Sequence, residues 1–215
     1  MEQHDQPQRK WEVVEGDETI EDELKSFINM IGLDRIVPGR YSFILVLHLF
    51  GGWKSGFQGP EKIIHEIKAL EAGVSTAFKA PIQNKHPPLK GLWHKHYLQD
   101  GLPSLAKNVQ LAHRKYGMPY FEQKIREAQE AGEERYMTAE DMMALANDVV
   151  HGNLGRRRAD EAMTGEWLVF AKHEGQNYYL AVTTHDSRFH PQIRQQIDTV
   201  CCHEFPFLTK LLADA

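Results

Sequence analysis

Cysteine is nearly absent: the chain has two, and they are adjacent, Cys201 and Cys202. Adjacent cysteines make neither a C-x-x-C redox pair nor a disulfide framework. That usage fits a reducing, cytoplasmic compartment. Long apolar runs are missing too. The longest near-continuous one, Phe43 to Phe50, ends in Gly51-Gly52, well short of the about 20 residues a bilayer needs, so no membrane span is expected. The N-terminus is polar and acidic and reads as carrying no secretory signal. No G-x-x-x-x-G-K-[ST] or G-x-G-x-x-G stretch is present to cradle phosphates. No G-x-S-x-G, H-E-x-x-H or paired C-x-x-C occurs either, which removes the commonest hydrolase and zinc patterns. Repeats and low-complexity segments are lacking. What remains is the composition of an ordinary soluble protein: 215 residues, 41% hydrophobic and 26% charged.

Two things are abundant. The chain has 12 histidines, so its net charge of −5 should change sign on mild acidification. The charge is also unevenly spread. Residues 1–34 carry a net −7 and residues 122–166 a net −5, whereas residues 79–121 carry +6. That central stretch holds Lys85, Lys90, Lys95, Arg114 and Lys115 among its cations, with His86, His94, His96 and His113 and the aromatics Trp93, Tyr97 and Tyr116. Basic residues interleaved with aromatics are what a polyanion site needs. A solvated face balanced in space by the acidic segments is the competing reading.

Residues 1–18 read as an acidic polar tail and residues 19–215 as a single α+β domain. Thr19 is placed to cap a helix that Gly32 stops. Tyr41 to Phe50 is a buried element whose length and apolarity suit a strand or a core helix equally. The glycines from Gly51 to Gly59 predict a loop, and Pro60 opens a helix that Gly73 ends. Leu89 to Tyr97 reads as a strand. Pro103, Pro119 and the Thr138-x-x-Asp141 box start three further helices. Gly152 to Gly165, with Arg156, Arg157 and Arg158, reads as an exposed loop. Trp167 to Lys172 and Tyr178 to Thr184 flank turn chemistry at Glu174-Gly175-Gln176-Asn177, the pattern of a hairpin. Pro191 opens a last helix. The expected architecture is therefore a small, mainly antiparallel sheet with several packed helices, its C-terminal hairpin followed by a helix.

Two groups of residues can carry chemistry. His94 and His96 alternate on a strand, so both imidazoles share a face with Lys95 opposite. His185-Asp186-Ser187-Arg188 follows the hairpin where a strand runs into a loop, a usual position for functional residues. A histidine there can move protons, and an arginine can hold a phosphate by two parallel hydrogen bonds. His173 and Glu174 read as solvated turn residues. Cys201 lies on the apolar face of the last helix and reads as a core thiol.

The stretches Lys90 to Tyr97 (KGLWHKHY) and Glu166 to Arg188 (EWLVFAKHEGQNYYLAVTTHDSR) resemble the RelE-like ribonuclease toxins and their barnase/colicin-type relatives. Those proteins often place a Lys-Gly-leading strand before a pair of terminal strands, with basic or histidine residues just after the last. Here about 70 residues separate the two stretches, where the family is compact. The resemblance implies metal-independent cleavage of RNA without a cofactor. Such cleavage needs a base, an acid and a cation on the phosphate, which assigns His94 or His96 and His185 as base and acid and Arg188 to the phosphate, with Lys90 or Lys95 in support. Lys85, Arg114 and Lys115 extend the binding surface. RNA and a neutralising or regulatory protein are the expected partners. Two alternatives stay open: a non-enzymatic binding or regulatory protein of bacterial or phage type, and a metal-dependent hydrolase using His94, His96 and one of His185, Asp186 or His190.

Overall fold

The computed structural model describes residues 18–213 apart from residues 133 and 135. The expected tail over 1–18 lies outside the described residues except for Glu18, which already belongs to the first helix. In chain order the elements are α1 (Glu18–Ile31), α2 (Leu33–Ile36), α3 (Phe43–Lys54), α4 (Glu61–Ala72), β1 (Ile82–Gln83), β2 (Trp93–Tyr97), α5 (Leu102–Tyr116), α6 (Pro119–Ala131), α7 (Ala139–Asn147), α8 (Asn153–Ala159), β3 (Glu166–His173), β4 (Gln176–Thr183), α9 (His190–Gln196), α10 (Cys202–Glu204) and α11 (Phe207–Ala213). The α+β reading holds. None of the helices is long and apolar enough to cross a membrane among the described residues. The contacts divide the chain into two compact units, a division not visible in the sequence. One contains residues up to 76, 80–100 and 165 onward; the other contains residues 77–79 and 101–164.

The first unit is built on an antiparallel sheet in the order β1-β2-β3-β4. The β3–β4 hairpin is tighter than its sequence suggests. Glu174 and Gly175 alone make the turn, both with positive φ (49° and 77°), while Gln176 and Asn177 pair with His173 and Lys172. Strand β2 begins only at Trp93. Lys90 and Gly91 lie in the connection before it, where Gly91 takes a φ of 87° and its amide donates to the Asn84 carbonyl at 3.0 Å.

Each face of the sheet is covered. Trp93, Tyr97, Leu168, Phe170 and Tyr179 meet Phe27, Leu45, Ile63 and Ile67 of the N-terminal helices. On the other face Val169, Ala171 and Leu180 meet Ile193, Ile197, Cys201 and Phe205. Cys201 is thus a buried thiol, and burial pushes its pKa up to about 12.

The open choice for Tyr41–Phe50 resolves as helix. Ser42 is an N-cap whose hydroxyl accepts from the Leu45 amide at 3.0 Å, which satisfies one of the free amides of the first turn. The same hydroxyl donates to the Leu180 carbonyl, and the Ser42 amide donates to the Tyr179 carbonyl at 2.9 Å. These bonds tie α3 to the edge of β4. The helix runs on through Gly51 and Gly52 to Lys54, so the expected glycine loop is confined to residues 55–60. Beyond Pro191, the last helix widens into a π-helical turn at Ile197–Cys201, ends at Glu204, and is followed by α11, which the sequence reading lacked.

The second unit is helical. Its α7 begins at the Thr138–Asp141 capping box, with both reciprocal bonds in place. The expected loop from Gly152 to Gly165 is helical as far as Ala159, and only residues 160–165 are loop. The chain continues from α7 through a π-helical turn at Asp148–Gly152 into α8, and Arg157 is buried there. Arg156 pairs with Asp148 at 2.7 Å, eight residues or about two turns back along the helix, a contact that a loop would not hold in place.

Lys95 departs from its expected role. It stands on the helix-covered face of β2 with its Nζ 3.5 Å from Glu66 of α4, and both side chains are almost fully buried. The Thr76 hydroxyl donates to the same carboxylate at 2.9 Å. A cation held there does not support a phosphate on the opposite face. A buried pair of this kind is costly to break from one side, because the survivor keeps its desolvation penalty. Lys95→Met should therefore destabilise the protein by about 3–5 kcal/mol, and Lys95→Met with Glu66→Leu should recover most of the loss. Urea unfolding of the three proteins measures this; a single variant as stable as the double would contradict it.

Candidate acid–base site

The other face of the β2–β3 pair carries the imidazoles. His94 lies opposite Val169 and His96 opposite Trp167 in the antiparallel register. The Trp167 indole is the centre of the group. His94 stacks on it at 3.8 Å with the planes 12° apart, and His190, the first residue of α9, lies at 4.7 Å. His185, in the loop after β4, is 5.3 Å from Trp167 and stacks on His96 at 5.5 Å. His94 and His96 meet edge to face at 5.3 Å. Four histidines from three separate stretches thus surround one tryptophan. His94, His96 and His190 are buried, and His185 is exposed.

Backbone contacts fix these positions. The Glu166 carboxylate, at the start of β3, accepts from the His185 amide and anchors the loop. A carbonyl oxygen only accepts, so each imidazole bonded to one must donate. His96 Nδ1 donates to the Gly165 carbonyl at 2.9 Å, leaving the lone pair on Nε2; the Gly165 amide, 3.4 Å away, is the weaker contact. His190 Nε2 donates to the Thr184 carbonyl at 3.1 Å. Asn84 spends its amide on the Leu92 carbonyl, so its Oδ1 faces His94 and accepts from Nδ1 at 2.9 Å. Gly165 is itself constrained: a Cβ there would lie 1.8 Å from the Tyr97 carbonyl oxygen.

Burial, and then the three neighbouring imidazoles, hold the His94 pKa down at about 3. His94 is therefore neutral at ordinary pH and acts as a fixed ring rather than a proton carrier. Tyr97 is buried on the opposite face, and burial raises its pKa.

The remaining expected residues do not join the cluster in the same way. Arg188 is exposed, and its guanidinium grips Asp186 through Nε at 2.9 Å and a terminal nitrogen at 2.6 Å. That pairing draws the Asp186 carboxyl down to about 2. Lys85 and Lys90 are exposed on the β1–β2 connection. Arg114 and Lys115 sit on α5, in the second unit, where Lys115 pairs with Asp160 at 2.6 Å. His173 is more than a turn residue, since its ring stacks on Phe207 at 4.0 Å and 3°. Sequence alone offers His190 only as a metal ligand and Trp167 only as a strand residue. Among the described residues no group of three or more His, Cys, Asp or Glu side chains is arranged to hold a metal ion.

No family model, curated protein or solved structure matches this chain.

The depressed pKa of His94 has a sign. The unfolded chain binds a proton that the folded protein refuses, so stability rises with pH between the two values. The contribution is complete above about pH 6.5, the ordinary histidine value, and is lost as the pH falls toward about 3. Stability should decline below neutrality by up to about 1.4 kcal/mol per pH unit. His94→Phe, which keeps a ring against Trp167, should flatten that decline. Denaturation midpoints measured from pH 7 to pH 4 test this; equal slopes for the two proteins would rule it out.

Proposed function

We propose that the protein is a metal-independent, ribonuclease-type enzyme that works by histidine acid–base chemistry. The supporting observation is the convergence of His96 and His185, with their rings stacked 5.5 Å apart, beside the fixed rings of His94 and Trp167. The reaction class comes from the resemblance of Lys90–Tyr97 and Glu166–Arg188 to ribonuclease toxins.

Cleaving RNA through its 2′-hydroxyl requires a base for that proton and an acid for the leaving oxygen. A group with a pKa near the working pH serves best. His94, held neutral down to about pH 3, is a poor base and no acid at neutral pH, which leaves His96 and His185 as the pair. His185 is the solvent-exposed member and meets the substrate first. His96 lies behind it with its lone pair on Nε2. Arg188 takes the phosphate by exchanging Asp186 for it, one bidentate partner for another. Lys90 and Lys85, exposed nearby in sequence, add charge along the strand. Lys95 has no part, because Glu66 holds it on the other face.

His185→Ala should lower the rate of RNA cleavage by about 10²-fold or more while leaving the thermal transition unchanged. Activity should persist in chelator and follow a bell-shaped pH profile. Gel assays on several single-stranded and structured RNAs decide the matter. Wild-type protein that leaves them intact, or His185→Ala that cuts as fast as wild type, overturns the reading in favour of a binding protein.

A further inference from the structure

A second feature of the first unit lies away from the histidines. Helices α1 and α3 form a cleft of about 510 Å³ lined by Asp22, Glu23, Phe27, Phe50, Trp53 and Lys54, among others. That volume lies in the range of small-ligand pockets, about 300–1,000 Å³. Three aromatic rings make its floor: Phe27 is 5.3 Å from both Phe50 and Trp53, and Phe50 is 6.1 Å from Trp53. The floor is open. Trp53 is 43% and Met30, also in the lining, 56% exposed. Two carboxylates, Asp22 and Glu23, stand on its rim.

Aromatic faces beside carboxylates are the surroundings a desolvated organic cation prefers. The protein already uses them that way. Lys54 Nζ lies 5.3 Å from the centre of the Phe50 ring and 2.8 Å from Glu23. Its side chain is about half exposed, so it can swing out of the cleft. Asp22, on the same rim, supplies a second negative charge.

We infer that the α1–α3 cleft docks a lysine- or arginine-bearing apolar segment of a partner protein, whose basic side chain replaces Lys54 against Phe50 and Glu23 while its apolar residues cover Trp53 and Met30. The surface is separate from the histidine cluster, so this inference stands without the ribonuclease reading. Exposed apolar area rimmed by charge is the usual mark of such an interface, and aromatic anchors carry most of the energy at one.

The probe is a fluorescein-labelled amphipathic peptide of leucine and lysine, compared with the same peptide carrying glutamate at every lysine. Fluorescence anisotropy with the full chain should show binding of the lysine peptide only. Met30→Gln, an exposed change, and Trp53→Ala should each weaken it by about tenfold, the scale of a lost interface anchor. Asp22→Asn should weaken it by about threefold, as for a rim charge, with a smaller salt dependence. Lys54→Met should strengthen it, because the resident cation is gone. That gain is not expected of a merely structural lysine. Binding of both peptides alike, or equal affinity in wild type and Met30→Gln, overturns the proposal. Sedimentation of the chain alone adds a further check: a dimer that Met30→Gln dissociates would assign the cleft to a second copy and overturn it as well. RNA cleavage by Met30→Gln should equal wild type.

Discussion

The pairing of β2 with β3 is the constraint on which the rest of the first unit depends. It joins strands that are remote in sequence, and its register places His96 opposite Trp167 and His94 opposite Val169. Side chains on a strand alternate, so a slip of one residue would exchange the faces. Lys95 would then stand beside His185 and His190, and His94 and His96 would enter the apolar layer under α1–α4. Two interactions oppose that slip from opposite sides. Glu66 holds Lys95 on one face, and the Trp167 indole holds His94 on the other. Neither needs to be strong in net energy to act as a register lock. The cost lies in the alternative, where a buried charge would lose its partner.

The same register decides which histidines meet around Trp167. Burial, and then the three neighbouring imidazoles, disfavour charge on His94. Hydrogen bonds to Gly165, Thr184 and Asn84 then set which nitrogen of each buried ring carries its proton. The group is therefore graded from a fixed, neutral interior ring to the exposed ring of His185.

Legibility from sequence followed the range of the interactions. The hairpin, the Thr138–Asp141 cap and the helix stops at Gly32 and Gly73 rest on neighbours in the chain, and they could be read there. The sharing of a face by His94 and His96 follows from alternation alone. Tyr41–Phe50 could not be decided, because its helix is chosen by Ser42 bonding to β4 some 138 residues away. Arg156–Arg158 looked like a loop because glycines flank it, yet the Asp148–Arg156 pair and the burial of Arg157 make it helix. Lys95 was misjudged for the same reason: its partner Glu66 lies on another element. Trp167 gave no chemical signal, since its role as the surface on which His94 stacks exists only once β2 and β3 meet. His190 lies far from β2 in sequence, and its place against Trp167 exists only in the folded chain.

Gly165 connects these threads. It is the residue at which the chain returns from the helical unit to the sheet, one position before β3 begins. The backbone of Tyr97 approaches it so closely that a side chain has no room, and its carbonyl accepts the hydrogen bond from His96 Nδ1. Its neighbour Glu166 pairs with Tyr97 in the ladder and anchors the His185 amide. The point of return therefore fixes both members of the proposed proton-transfer pair, His96 through one residue and His185 through the next. A long helical stretch between two paired strands is tolerable for the site because the strands meet again within a residue of where the chain re-enters. The placement of His96 and His185 depends on that closure, whatever lies in the interval between Asp100 and Gly165.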